Sequence, residues 1–175
     1  EQKEASLMLV LASSLVDSAR YNGYIDDYIR SFPTAPDGYN ARATQFVNHA
    51  KLAEADEMLQ TETKRAANKD VAYSNYAALV YRASIYRVDT TFTKWSLDKA
   101  YDLAGEAYKV NPLPAYQHQQ AQVLYAKGKY KESLDMLTAL QQTDLGKTGE
   151  VYYESAQCKA RLNAPKPEIM ALLDK

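Results

Sequence analysis

A single cysteine, Cys158, occurs in the chain, so no intrachain disulfide can form and paired-cysteine metal or redox motifs are excluded. Two histidines, His49 and His118, are too few for a three-histidine metal site. Glycine and proline number only six each, which lets helices run long without interruption. No apolar run is long enough to cross a membrane; residues 7–12 form a short one inside helical periodicity and read as buried helix. Net charge is −1 and the pI about 6.2, so there is no electrostatic footprint for nucleic acid and none is expected as a partner. Dinucleotide and Walker fingerprints, HExxH and the serine elbow are all missing. These absences predict no enzyme, no cofactor, no metal and no catalytic residue. The chain begins EQKEAS, not with methionine, which points to a processed or trimmed protein and leaves an upstream signal segment open.

Helix is what the chain has in quantity. Hydrophobic residues make up 46% and charged residues 25%, a composition that folds, and 175 residues suffice for one continuous core. Fifteen tyrosines supply rings that pack while their hydroxyls stay wet, which suits helix contacts and a binding surface alike. Residues 115–142 read as two short helices folded back at Gly128. Ala115, Ala121, Leu124 and Tyr125 stripe the first; Tyr130, Leu134, Leu137 and Leu140 stripe the second. Neither is long enough to stand alone, so each must bury its stripe.

Similar hairpins can be laid along the chain, at approximately 4–38, 39–69, 70–112, 114–147 and 148–175. In the first, residues 4–19 predict a helix with Met8, Leu11, Leu15 and Ala19 on one face. Asn22-Gly23 reads as a break or tightening, and Pro33, Pro36 and Gly38 as the closing turn. Residues 39–67 fit one long helix or two meeting near Lys51, with the repeat context favouring two. The acidic groups Asp26, Asp27, Glu54, Asp56 and Glu57 read as a solvated outer face. Asn68, and then the threonines of 89–93, read as helix caps. Trp95, Leu97, Ala100, Leu103, Ala104 and Ala107 should face inward, with Gly105 at a close helix contact or a kink. Val151, Tyr152, Ser155, Cys158 and Leu162 stripe the next helix, and Pro165 and Pro167 start a last one ending in Leu172 and Leu173. Cys158 reads as a packing residue.

Ala121 and Leu124 recur as Ser155 and Cys158, each 34 residues on, and a paired-helix unit of that period belongs to stacked helical arrays. On these residues the chain resembles the tetratricopeptide repeat family. In the clearest unit the family's small place falls on Ala121, the following large one on Leu124, and Gly128 and Tyr130 match outright. Ser133 stands for the crossing-point alanine, Leu137 for the aromatic residue, Leu140 for the second alanine and Leu145 for the proline. Gln117 and Gln120 depart from the family's tryptophan and leucine. Met8, Leu11, Ala12, Leu15, Tyr21 and Pro36 match in the N-terminal unit. Tyr73, Tyr76, Ala77, Val80, Leu97, Ala100, Ala104, Ala107 and Pro112 match in the third, which carries about eleven extra residues around 85–94. Phe92 and Trp95 are expected to cap that projection from inside.

The resemblance implies an all-α, tetratricopeptide-like α-solenoid of antiparallel helix pairs, wound as a right-handed superhelix. It further implies a non-catalytic protein–protein interaction or scaffold module that takes a peptide or protein on a concave surface. Tyr81, Arg82, His118, Gln122, Tyr125, Tyr152 and Lys159 are the groove-facing places. Ser74, Ala78, His118 and Gln122 do not reproduce the set with which some members clamp a terminal carboxylate. The Tyr-rich character and the SFPTAP segment look like bacterial cell-envelope members, which implies the periplasm or envelope, with cytoplasm as the alternative. Two other readings stay open: an assembly module of a larger envelope protein, self-associating through its C-terminal end, and a ligand-binding or catalytic helical domain.

Overall fold

A computed structural model describes residues 2–13 and 18–175. Among these the fold is all-α, with no strand: α1 (Gln2–Ser13), α2 (Ser18–Ser31), α3 (Pro36–Asn48), α4 (Leu52–Arg65), α5 (Lys69–Tyr86), α6 (Leu97–Val110), α7 (Pro114–Ala126), α8 (Tyr130–Leu140), α9 (Gly149–Arg161) and α10 (Lys166–Leu173). A 3₁₀ turn, Leu145–Lys147, joins α8 to α9. Each helix packs on the next, and α5 also touches α3 and α7. This is a tetratricopeptide-like stack of antiparallel helix pairs. Because α5 has neighbours on several sides, it buries Ala72, Tyr76, Ala77, Leu79, Val80 and Ala83, spread round more than one face.

The repeat spacing is visible in what touches what. Arg82 bonds Asn48, 34 residues earlier, and His118 meets Glu154, 36 later. Between α5 and α7 the offsets are longer: Ser74 to Gln119 is 45 residues and Asp70 to Tyr116 is 46. The surplus sits in the 18-residue α5 and the connection after it. There Trp95 is buried and Phe92 packs edge-on against it, ring centroids 6.0 Å apart, so these aromatics close the projection from inside.

Tight places follow local sequence. Gly128 adopts φ +76°, the left-handed region that only glycine enters without strain, and Lys129 N–H then donates to the Leu124 carbonyl at 3.0 Å. Below that turn Ala121, Ser133 and Cys158 are wholly buried, and Ser133 Oγ donates to the Ala121 carbonyl at 2.8 Å. Residues 39–67 are two helices, with Lys51 at the N-cap of α4. A β-carbon on Gly105 would lie 3.1 Å from Gln120 Nε2, so the glycine marks a close contact.

Several expectations need correction. Asn22 and Gly23 lie inside α2 and do not break it. Residues 14–17 lie outside the described ones, as do the side chains of Leu11, Leu15 and Ala19. Met8 is exposed and Val10 is buried. Pro36 and Gly38 open α3 instead of closing a turn: a β-carbon on Gly38 would come 2.7 Å from Tyr28 Cδ1. Asn68 makes no side-chain cap, and α6 is capped by Ser96, whose side chain accepts from Lys99 N–H. Leu162 is exposed. Asp56, read as a solvated charge, is buried and accepts hydrogen bonds from Tyr76 Oη, Trp95 Nε1 at 2.7 Å and Lys99 Nζ at 2.8 Å. Burial works to raise its pKa, but these donors outweigh it and hold the carboxyl below its ordinary range.

Candidate partner-binding groove

The first helices of successive pairs supply one side of the stack, and a cavity of about 220 Å³ opens between α5, α7 and α9. Tyr81 comes from α5, Gln122 and Tyr125 from α7, and Glu154 and Gln157 from α9. The buried trio Ala121, Ser133 and Cys158 lies beneath them. Small residues there bring the backbones close and leave the room above. A smaller hollow of about 70 Å³ continues towards α5, sharing Tyr81 and Gln122 and reaching Ala77, Ala78, Gln119 and Val123.

Glu154 organises the polar side. Its two oxygens take separate partners: His118 Nε2 lies 2.6 Å from Oε2, and Gln122 Nε2 donates to Oε1 at 2.9 Å. The hydrogen bond that Glu154 accepts raises the His118 pKa against the opposing effect of burial, and the charges of Glu154 and Glu150 add to it. Burial pushes the Tyr81 phenol up, helped by the Glu154 charge, so Tyr81 stays a neutral donor. Tyr125 packs edge-on against Tyr130, centroids 5.2 Å apart, and its hydroxyl accepts from Arg161 Nε at 3.3 Å. Burial also raises the Cys158 thiol, which keeps it protonated and poorly nucleophilic at neutral pH.

Of the sequence-predicted places, Tyr81, Gln122 and Tyr125 come together on the cavity wall. His118 is buried just behind, touching the cavity through Glu154. Arg82 turns to α3, donating to Asn48 Oδ1 at 3.2 Å. Tyr152 and Lys159 engage the C-terminal segment instead: the Lys175 ammonium lies 5.4 Å from the Tyr152 ring, and Lys159 Nζ bonds Glu168 at 2.7 Å. Glu154 and Gln157 were not foreseen, and neither was an oriented partner for His118. The signal was the repeat itself, since Glu154 stands 36 residues after His118 and 32 after Gln122.

No protein-family model matches the chain, and no curated protein matches it. Among solved structures it is similar to one from a functional characterisation of Pseudomonas aeruginosa PilF, with a TM-score of 0.72 and 15% identity over 98% of this chain and 75% of the other. It is also similar to YrrB, described as a TPR protein with an unusual peptide-binding site, with a TM-score of 0.60 and 16% identity over 94% of this chain and 78% of that one. These likenesses establish the fold.

Proposed function

We propose that the chain is a non-catalytic interaction module that holds a peptide or a short segment of a partner protein in the groove between α5, α7 and α9. The carrying observation is that Tyr81 and Tyr125, from different repeats, wall one cavity beside the amides Gln122 and Gln157. Tyrosine offers broad apolar contact at low ordering cost, and side-chain amides suit a peptide backbone. The YrrB likeness supports a peptide-sized occupant, because that protein is described by its peptide-binding site. The test is panning of a random peptide library on the wild type and on a Tyr81→Ala, Tyr125→Ala variant with an unchanged circular dichroism spectrum. Selected peptides should lose affinity at least about tenfold on the double variant, the scale of one lost interface anchor. Equal binding by the two proteins refutes the groove.

A second reading is assembly through the C-terminal end. α10 buries no residue and exposes Met170 and Leu173, leaving apolar surface for another subunit. Light scattering across a concentration series should then show self-association that Met170→Gln, Leu173→Gln abolishes; a monomer at all concentrations rejects it. A bacterial envelope location is proposed on the Tyr-rich repeat character and the fold likeness to P. aeruginosa PilF, and fractionation of the native cell tests it.

A further inference from the structure

We propose that His118, Glu150 and Glu154 form a binding site for a divalent cation of the zinc class at the seam between α7 and α9. One nitrogen and two carboxylate oxygens from these residues all lie within 4.8 Å of one another. Glu150 and Glu154 are one turn apart on α9, so their carboxylates share a face, and His118 approaches that face from the neighbouring helix. A cation between the imidazole and a carboxylate needs ligand atoms about 3.3 Å apart, given metal–ligand distances near 2.1 Å. The present 2.6 Å between His118 Nε2 and Glu154 Oε2 therefore has to open by well under 1 Å, within side-chain adjustment.

The donor set chooses the class of ion. One imidazole with two carboxylates suits zinc or its first-row neighbours, whereas magnesium and calcium prefer oxygen alone. Two carboxylates with a neutral imidazole balance the charge of a divalent ion. The N-terminal end of α9 opposes a cation, but its macrodipole amounts to roughly half a positive charge against two full negative ones. The site also has an outer partner. Gln122 donates to the Glu154 oxygen that His118 does not touch, which orients the carboxylate as second-layer partners of metal ligands do. His118 is buried and Glu154 half-buried, so both are held in place, while exposed Glu150 gives the ion a path from solvent.

The site shares Glu154 and Gln122 with the groove wall, but the proposal does not rest on which partner the groove holds. Its test is calorimetric titration of the chelator-stripped full chain with zinc chloride, and with cobalt(II) chloride read by visible absorption. One saturable equivalent is expected, with the intense cobalt bands of a four-coordinate site and a melting temperature that climbs with zinc. Gln122→Leu should weaken zinc about 10- to 100-fold, as loss of an outer partner does, and Glu150→Gln and His118→Ala should weaken it more. Glu150→Gln carries the decision if His118→Ala misfolds, because Glu150 is exposed and its side chain supports no packing. His49→Ala, at the exposed end of α3, should change nothing. The proposal is overturned by no saturable zinc binding up to about 1 mM, the weak end of known protein cation sites. It is equally overturned if Glu150→Gln binds zinc like the wild type, or if magnesium binds as tightly as zinc.

Discussion

Replacing Glu62 with glutamine should stabilise the protein at neutral pH, by an amount that grows as pH rises. Glu62 sits on α4 with its side chain wholly buried. Asn75 Nδ2 donates to Oε1 at 3.0 Å, but Oε2, also buried, meets no partner among the described residues. Burial, chiefly, with the Asp37 charge adding to it and Asn75 opposing, lifts the carboxyl from 4.5 to about 8. Folding at pH 7 thus requires Glu62 to take up a proton that it lacks in the unfolded chain. The sign follows from linkage. The native state binds the extra proton between the two pKa values, so stability is full below about 4.5 and falls as pH climbs towards 8. Roughly two and a half pH units separate the unfolded value from neutrality, and each is worth about 1.4 kcal/mol, so the deficit at pH 7 is about 3 kcal/mol.

Glutamine has the shape of the neutral acid and keeps an acceptor for Asn75, so it should recover most of that deficit. Its NH₂ takes the place of the protonated oxygen and is no better paired, so the gain is an upper figure. The assay is urea unfolding of both proteins at half-unit steps from pH 5 to 9. The wild type minus variant difference should be smallest at pH 5, under about 1 kcal/mol, and widen steadily to about pH 8, then level off. A difference that stays flat across this range would show that Glu62 does not bind a proton on folding, and the reasoning would fail.

Asp56→Ala strands the buried donors of Tyr76 and Trp95 and unpairs the half-buried Lys99, and should cost about 3 kcal/mol, the lower end of the scale for breaking a buried pair because Lys99 still reaches water. A shift below about 1 kcal/mol in urea unfolding, the range of exposed ion pairs, would show that the network is relaxed in solution. Two glycines should respond with opposite signs. A β-carbon on Gly146 would fall 1.8 Å from the Leu140 carbonyl oxygen, so Gly146→Ala should lower stability by at least about 1–3 kcal/mol, as overpacking does. Among the described residues nothing stands within 4 Å of the same atom on Gly23, mid-way in α2, so Gly23→Ala should raise it by about 1 kcal/mol. Melting temperatures of the two variants moving the same way would contradict this.

The fold was legible because its signals are local and repeated. The apolar spacing around Leu124 and Leu137, the left-handed glycine at 128 and the small residues at 121, 133 and 158 each report a contact within one hairpin or its neighbour. What stayed hidden depends on distant atoms. Gly38 two residues after a proline reads as a turn, because the reason it must be glycine lies on Tyr28 and Ile29 of the preceding helix. Asp56 reads as a surface charge because three of its four donors stand 20, 39 and 43 residues further along the chain. No window of helical periodicity contains both halves of such a network.

The groove shows the same division at finer grain. Carrying a register forward by one period finds equivalent places, and equivalent places on stacked helices point the same way. That is why Tyr81 and Tyr125 wall one cavity although the chain between them includes the extra length after α5. Residues that touch across adjacent repeats come from facing flanks of their helices, so their separation can miss the period by about two residues, although Arg82 meets Asn48 at 34. Tyr152 is the place one 34-residue step from His118, and it turns towards Lys175. Glu154, two residues beyond, is the one that reaches back to both His118 and Gln122. The same offset of 36 joins Tyr125 to Arg161. Pairing chemistry in a stacked array is therefore found by searching about two residues either side of the period, where a titratable group on one helix can meet its partner on the next.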